Sequence, residues 1–229
     1  LVTVREPDYK LVFFGIENPN VDFRAKDIEE KNGFTSFTVE FYGASQRVTV
    51  PTVGIHNVYD ALAAFAVGYE MRMEPRKIAA GLKSFVPSGM RQRIKKVGGI
   101  TVIEDCYNAS PDSQKAALDV LSSFKSNRRI AVLGDMLELG KYSDISHENV
   151  GKYTENKNID ILFTYGAKAK HIAEGAKGFV DEIKSFDDKT ELAKTLLETL
   201  KDGDAVLFKA SRGMKLEDVI NSLYREWEE

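Results

Sequence analysis

Cysteine is almost absent from this sequence. The 229 residues contain one, Cys106, which excludes an internal disulfide framework and is typical of a reducing compartment. Basic and acidic side chains nearly balance, 32 against 35, which argues against a general binder of nucleic acid. No run of about 18 apolar residues occurs, so we expect no membrane span. These features predict a cytoplasmic protein with one large or two small domains.

Several familiar catalytic signatures are also missing. No His, Cys, Asp or Glu cluster has metal-ligand spacing, and no G-x-S-x-G elbow occurs. The stretch VLGDMLELGKYS (132–143) suggests a phosphate loop, but a P-loop has four residues between its glycines and Ser or Thr after the lysine. Here five residues separate Gly134 from Gly140, and Tyr142 follows Lys141. We therefore interpret it as a strand-to-helix connection, in which Asp135 at the strand end keeps a ligand role open.

The sequence changes style near residue 95. Short alternating runs at 11–16, 36–43 and 47–53 predict strands, and helical spacing predicts a helix after Gly54 and a second at 75–84. After Gly98 and Gly99 the pattern becomes a regular strand–helix alternation. Strands are expected at 91–97, 100–105, 129–134, 160–165, 179–184 and 204–210, and helices at 111–124, 146–156, 167–176, 188–201 and 214–227. This pattern predicts an α/β protein whose second part is Rossmann-like, with a mainly parallel sheet covered on both faces.

The segment IEDCYNASPDS (103–113) has the richest chemistry among the junctions. Asp105 closes a strand, and ligands in such sheets bind beyond the carboxyl ends of the strands. Ser110 suits an N-cap and Pro111 the first helical turn, so free N–H groups would face an anion. The alternative is an Asx turn with an ordinary cap. We interpret Cys106 as a partly buried small hydrophobe rather than a nucleophile.

Three histidines remain to be assigned. His56 and Asn57 lie at a predicted helix start and suit contact with a nucleotide base, although a satisfied capping pair is the alternative. We expect His147, near another helix start, to be solvated. His171 lies alone in a predicted helix and receives no role.

Taken together, five stretches resemble one family. GIHNVYDALAA (54–64), SGMRQR (88–93), IEDCYNASPDS, VLGDMLELG and KASRGMKLE (209–217) occur in the order found in the ATP-dependent Mur ligases of peptidoglycan synthesis. The YNASP and GDMLELG signatures resemble in particular the type that adds D-alanyl-D-alanine to UDP-N-acetylmuramoyl-tripeptide. The resemblance covers roughly residues 50–225.

The resemblance implies an architecture and a set of site residues. Residues 1–96 would be the C-terminal part of the central ATPase domain, and residues 97–229 the whole Rossmann-like C-terminal ligase domain. In the place of a usual Asn of the adenine motif stands Asp60, which can accept but not donate. The implied nucleotide-binding residues are His56, Asn57, Asp60, Arg91, Asp105 and Asn108. The implied contacts of the amino substrate are Asp135, Ser211 and Arg212, and Arg212 would suit a carboxylate.

The resemblance also implies a reaction and its cofactors. ATP and Mg²⁺ would convert the tripeptide carboxylate into an acyl phosphate, which the D-alanyl-D-alanine amine then attacks. The P-loop, the metal ligands and any complete catalytic set are expected upstream of Leu1, so we expect this chain alone to be inactive. We further expect a monomer that acts on small-molecule substrates and binds no nucleic acid.

Two other classes stay open. One is a related Mur or folylpolyglutamate-type amide ligase with another amino substrate, against which the GDMLELG loop argues. The other is a non-enzymatic nucleotide-binding module, which would have an initiator Met close upstream and no P-loop.

Overall fold

The computed structural model describes residues 9–31, 33–87 and 89–228. The chain divides into two compact units, Leu1–Val86 and Pro87–Glu229, and each is described by itself. Among the described residues, none of the helices has the length and apolar content that a bilayer crossing requires.

The first unit is built on a four-stranded sheet. Its strands are β1 (Phe14–Gly15), β2 (Phe23–Lys31), β3 (Phe34–Phe41) and β4 (Ala44–Val50), in that spatial order. β1 pairs parallel to β2, and the other pairs are antiparallel. β2, the longest of these strands, was not predicted. Its register shifts between Lys26 and Glu29, so the alternation that marks a strand is interrupted there.

Two helices complete the first unit. α1 (Ile55–Glu70) and α2 (Pro75–Lys83) follow the sheet, close to their predicted positions. Phe23 and Phe41 of the sheet and Phe65 of α1 are buried together, with ring centroids 5.3 to 6.2 Å apart. The aromatic core therefore fixes α1 on one face of the sheet.

The second unit contains the predicted Rossmann-like sheet. Its strands are β5 (Arg93–Val97), β6 (Ile100–Glu104), β7 (Arg129–Gly134), β8 (Ile161–Tyr165), β9 (Glu182–Phe186) and β10 (Ala205–Lys209). The spatial order is β5-β6-β10-β7-β8-β9. β5 is antiparallel to β6, and all other pairs are parallel. The mainly parallel sheet is thus confirmed. The functional division between residues 96 and 97 stays a prediction.

Helices connect these strands and cover the sheet. They are α3 (Pro111–Ser123), α4 (Ser143–Lys152), α5 (Lys170–Ala176), α6 (Lys189–Thr199) and α7 (Glu217–Glu228), with single 3-10 turns at Gly140–Tyr142 and Arg212–Met214. α6 and α7 contact each other, as do α3 with α4 and α4 with α5. Val102, Val206 and Phe208 form one core cluster with residues of α6 and α7. The intervening strand residues point to the opposite face.

The position of β10 decides where the site lies. β10 is the last strand in the sequence, but it lies between β6 and β7. Carboxyl ends of parallel strands meet at one edge of a sheet, so the loops after β6, β10 and β7 are neighbours.

Candidate functional site

Asp105 follows β6 directly and has a defined set of partners. Its Oδ1 accepts a hydrogen bond from the Gln92 backbone N–H at 3.3 Å, and its Oδ2 lies 2.8 Å from the Lys209 ammonium. The side chain is 18% exposed. The carboxylate therefore stays reachable at the sheet edge while both of its oxygens are oriented by the protein.

Lys209 is the residue that sequence reasoning missed. It ends β10 and is only 2% exposed. Besides its ion pair with Asp105, its Nζ donates to the Asn108 carbonyl at 3.0 Å. The available signal was a lysine that ends the apolar run DAVLFK (204–209) at a strand's carboxyl end. A buried lysine requires a paired carboxylate, and Asp105 was already a candidate.

The other predicted nucleotide contacts of this unit are Asn108, in the loop between β6 and α3, and Arg91, which precedes β5. The Arg91 guanidinium lies 4.3 Å from the centroid of the Tyr107 ring, a cation–π arrangement. The Oδ1 of Asn108 accepts from the Ala109 N–H at 2.9 Å. Ser110 caps α3 in a reciprocal box with Ser113. The predicted cap is confirmed, and Arg91 lies against the loop that carries Asp105 and Asn108.

Asp135 follows β7 and Ser211 follows β10, and hydrogen bonds join the two neighbouring loops. Asp135 Oδ1 accepts from the backbone N–H groups of Lys168 and Ala169, at 3.0 and 2.6 Å. Ser211 Oγ accepts from the Leu137 N–H at 2.9 Å, and the Ser211 N–H donates to the Asp135 carbonyl at 3.1 Å. Both predicted substrate residues are almost completely buried. Their hydrogen bonds hold the neighbouring loops in place.

Gly166 makes the close approach of Asp135 possible. It has φ +111°, and a Cβ built there would lie 2.5 Å from Asp135 Oδ1. Only glycine accepts both the backbone conformation and this contact. The loop after β8 therefore depends on the Asp135 carboxylate as its anchor.

His147 corrects the expectation of a solvated histidine. The residue is fully buried, its Nε2 accepts from the Met136 N–H at 2.9 Å, and its Nδ1 lies 2.7 Å from the Ser143 carbonyl oxygen. An amide N–H only donates and a carbonyl only accepts, so the ring is neutral with its proton on Nδ1. Burial, the largest cause, lowers the pKa of His147 below its ordinary value of 6.5.

Arg212 lies at the outer rim of the same edge. Its Nη1 is 2.6 Å from Glu217 Oε1, and its side chain is 60% exposed. A guanidinium has five donors in a planar fork, so this ion pair leaves the group accessible to a further carboxylate.

The remaining predicted nucleotide residues lie in the first unit, at the start of α1. Gly54 has φ +102°, and its N–H donates to Glu30 Oε1 at 2.7 Å. Asn57 Nδ2 donates to the Val53 carbonyl at 2.8 Å and lies 3.1 Å from His56 Nε2. His56 and Asp60 are exposed. The adjacent imidazole and amide form a polar surface at the helix start.

Cys106 is a free cysteine in the interior of the second unit. Cys106 is fully buried, and burial, the largest cause, raises the pKa of its thiol to about 12, which is unsuited to a nucleophile. Our interpretation of it as a small hydrophobe is confirmed. No group of three or more His, Cys, Asp or Glu side chains that could hold a metal is found within the described part of the chain.

Comparison with known families identifies the class of protein. Residues 90–212 match the family model described as Mur ligase, glutamate ligase domain, and residues 2–68 match the Mur ligase middle domain. The chain belongs to the Mur ligase family.

Two curated relatives that match this chain share one name. The chain is 39% identical over 206 residues to UDP-N-acetylmuramoyl-tripeptide--D-alanyl-D-alanine ligase of Bacillus subtilis, which covers 88% of this chain and 45% of that protein. It is 33% identical over 208 residues to the ligase of the same name from Escherichia coli, covering 89% and 45%. The chain thus spans less than half the length of these curated relatives.

Solved structures agree with the sequence comparison. A crystal structure of MurF from Acinetobacter baumannii matches with a TM-score of 0.83 at 27% identity, covering 93% of this chain and 46% of that one. MurF ligase from Thermotoga maritima in complex with ADP matches with a TM-score of 0.80 at 26% identity, covering 95% and 49%. The predicted fold and family are confirmed.

Proposed function

We propose that this chain is the C-terminal part of an ATP-dependent ligase that joins D-alanyl-D-alanine to UDP-N-acetylmuramoyl-tripeptide. Residues 1–96 would belong to its central ATPase domain and residues 97–229 to its ligase domain. The observation that carries the proposal is the convergence of the loops after β6, β10 and β7 at one sheet edge. In a chain whose relatives bear this name, these loops present an oriented carboxylate and an accessible guanidinium side by side in the fold.

The proposed nucleotide contacts follow from the chemistry of each group. Asp105 would accept from a ribose hydroxyl, because a carboxylate fixed by two donors is an oriented acceptor. Arg91 and Asn108 would contact the ribose or phosphates. His56 and Asn57 would contact the adenine, and Asp60 would accept from its amino group. An ADP complex of a structural relative supports nucleotide binding as the general role.

The proposed amino-substrate contacts lie on the loops after β10 and β7. Arg212 would pair with the carboxylate of the dipeptide in a two-point interaction, in exchange for part of its pairing with Glu217. Ser211 and Asp135 would shape the loops around it. The tripeptide carboxylate would attack the γ-phosphate of ATP and release ADP. The dipeptide amine would then displace phosphate from the acyl phosphate, losing one proton as the amide forms.

The proposed reaction would use Mg²⁺, but the described residues of this chain form no group that could hold it. The metal would neutralise phosphate charge, and its ligands are carboxylates and waters in most proteins. The described residues offer no acidic cluster of that kind, so we assign no metal ligand to this chain. The small-molecule substrates, the absence of nucleic acid, a monomeric state and a cytoplasmic location stay predictions.

An assay of ADP release tests the proposal. The full-length protein that contains this chain should release ADP over many turnovers only when UDP-N-acetylmuramoyl-tripeptide and D-alanyl-D-alanine are both present. Asp105→Asn should raise the KM for ATP, and Arg212→Ala the KM for the dipeptide, each by about 10-fold or more. Lys170→Met, which removes an exposed charge paired with Asp187, is the control and should change neither KM.

Other outcomes select other functions. Equal activity with lysine or diaminopimelate in place of the dipeptide would contradict the assignment and indicate a related amide ligase. The 229-residue chain alone should show no ATP turnover. Robust hydrolysis by the purified chain would overturn the view that the phosphate-handling groups lie elsewhere.

A further inference from the structure

The Lys209 ammonium contacts residues of one loop, the loop between β6 and α3. An ammonium group has three N–H donors. In the structure Nζ lies 2.8 Å from Asp105 Oδ2, 3.0 Å from the Asn108 carbonyl and 3.5 Å from the Asp105 carbonyl. These acceptors all belong to the loop between β6 and α3. With 2% of its surface exposed, Lys209 is poorly placed to contact a ligand itself.

The same ammonium determines how the Asp105 carboxylate is presented. One oxygen is held by Lys209 and the other faces the Gln92 N–H at 3.3 Å. The bond to Gln92 is long, so the ion pair is the stronger restraint on rotation of the carboxylate. Loss of Lys209 would leave a largely buried negative charge with one weak donor, and the carboxylate would turn toward solvent.

Lys209 also links the two sides of the proposed site. It precedes Ser211 by two residues, and Ser211 holds the neighbouring loop through the Leu137 N–H and the Asp135 carbonyl. One short segment, Lys209–Ser211, therefore fixes the loop after β6 through a charge and the loop after β7 through neutral hydrogen bonds.

We propose that Lys209 is a positioning residue for nucleotide binding: through its contacts with Asp105 and Asn108 it sets the orientation of the groups that hold the ribose and phosphates, without touching the ligand. This inference rests on the proposed function of the site. It assigns to the buried lysine a task that is separate from the amino substrate, because its contacts end on the β6–α3 loop.

Steady-state kinetics of the full-length protein test this assignment. Lys209→Met should raise the KM for ATP by about 10-fold or more and leave the KM for D-alanyl-D-alanine within about two-fold of the wild-type value. Asp105→Asn should have a similar effect on ATP. The double variant should be no worse than Asp105→Asn alone, because interactions within one unit are not additive. Lys209→Arg, which keeps the charge, should recover part of the ATP affinity.

A stability control separates positioning from general damage. Leu192→Ala creates a cavity in the α6 core and should lower stability without raising the KM for ATP. Similar ATP effects in Leu192→Ala and Lys209→Met, or a loss of kcat at unchanged KM, would overturn the proposal. Independent, multiplicative effects of Lys209→Met and Asp105→Asn would overturn it too. Should Lys209→Met not fold, Lys209→Gln, which is polar but removes the positive charge paired with Asp105, carries the test, and an unchanged KM for ATP in that variant rejects the proposal.

The proposed function fails in a different way. A wild-type protein that neither binds ADP nor releases it from ATP would reject the ligase function itself. A wild-type protein that binds ADP normally, together with a Lys209→Met variant that binds it equally well, rejects only the role of Lys209.

Discussion

The loops after β6 and β7 lie at the same sheet edge but are fixed by different forces. The β6–α3 loop is held by a buried charge pair between Lys209 and Asp105. Beyond the Asp135 carboxylate at its start, the β7–α4 loop is held by neutral groups: His147 accepts from Met136, and Ser211 accepts from Leu137. A charge pair is costly to break from one side, whereas a neutral bond costs mainly the desolvation of the group left behind. The two loops should therefore respond differently to mutation and to pH.

The largest effect is expected at the charged loop. Lys209→Met should lower the free energy of unfolding of the chain by about 3–5 kcal/mol, because Asp105 is left largely buried without its cation. Urea unfolding followed by circular dichroism measures the change. The double variant Lys209→Met with Asp105→Asn should recover much of the loss, since neither buried charge remains. A single-variant loss below about 1 kcal/mol would contradict the importance of the pair.

Replacing His147, which holds the β7–α4 loop, should lower the free energy of unfolding by less than replacing Lys209. His147→Ala leaves the Met136 N–H and the Ser143 carbonyl without the imidazole, which should cost about 2–3 kcal/mol. His171→Ala is the matched control, because that side chain is 42% exposed, and it should cost at most about 0.5 kcal/mol. Equal losses of stability in the two variants would contradict a stabilising role for the hydrogen bonds of the buried His147 ring.

Ser211 should contribute less than His147 to the free energy of unfolding. Ser211→Ala removes the acceptor of the Leu137 N–H at little change in volume, so we expect a loss of about 1–2 kcal/mol. Ser222→Ala removes a hydroxyl that makes an exposed hydrogen bond to the Asp218 carbonyl within α7 and should cost about 0.5 kcal/mol or less. A larger loss in Ser222→Ala would show that the Ser211 bridge does not stabilise the loop.

The smallest expected effect is a change in stability with pH, which arises from the neutral His147 ring. The folded state lowers the pKa of His147 from 6.5, so the unfolded chain binds more protons below that pH. Stability contributed by the neutral ring is present above about pH 6.5 and is lost as pH falls toward the folded pKa. Between pH 7 and 5.5, wild-type stability should fall more steeply than that of His147→Gln. Parallel curves would contradict a neutral buried histidine.

The fold followed from the sequence where local patterns agreed with the tertiary structure. Apolar runs such as RIAVLG predicted β7 because strands buried on both faces need such residues. β2 was missed because charged residues fill its exposed positions and a register shift interrupts its alternation. The cap at Ser110 was predicted because its hydrogen bonds are local.

The site was predicted less completely because its decisive contacts are distant in sequence. Asp105 could be identified from its place at a strand end. Its pairing with Lys209 depends on β10 lying beside β6, which no local pattern specifies. His147 was assigned to solvent because its position in the first turn of the predicted helix 146–156 suggested exposure. The Met136 N–H that it accepts from becomes visible only when the loop after β7 is folded.

The insertion of β10 between β6 and β7 has a consequence for the order of folding. Lys209 and the Asp105 carbonyl are 104 residues apart in sequence, and contacts of such long range form late because loop closure must precede them. During synthesis, β6 and β7 leave the ribosome well before the strand that must separate them. Because β10 lies between β6 and β7 in the folded sheet, the neighbouring arrangement of the ligand loops requires β10. The binding edge is therefore unfinished until β10 has been synthesised.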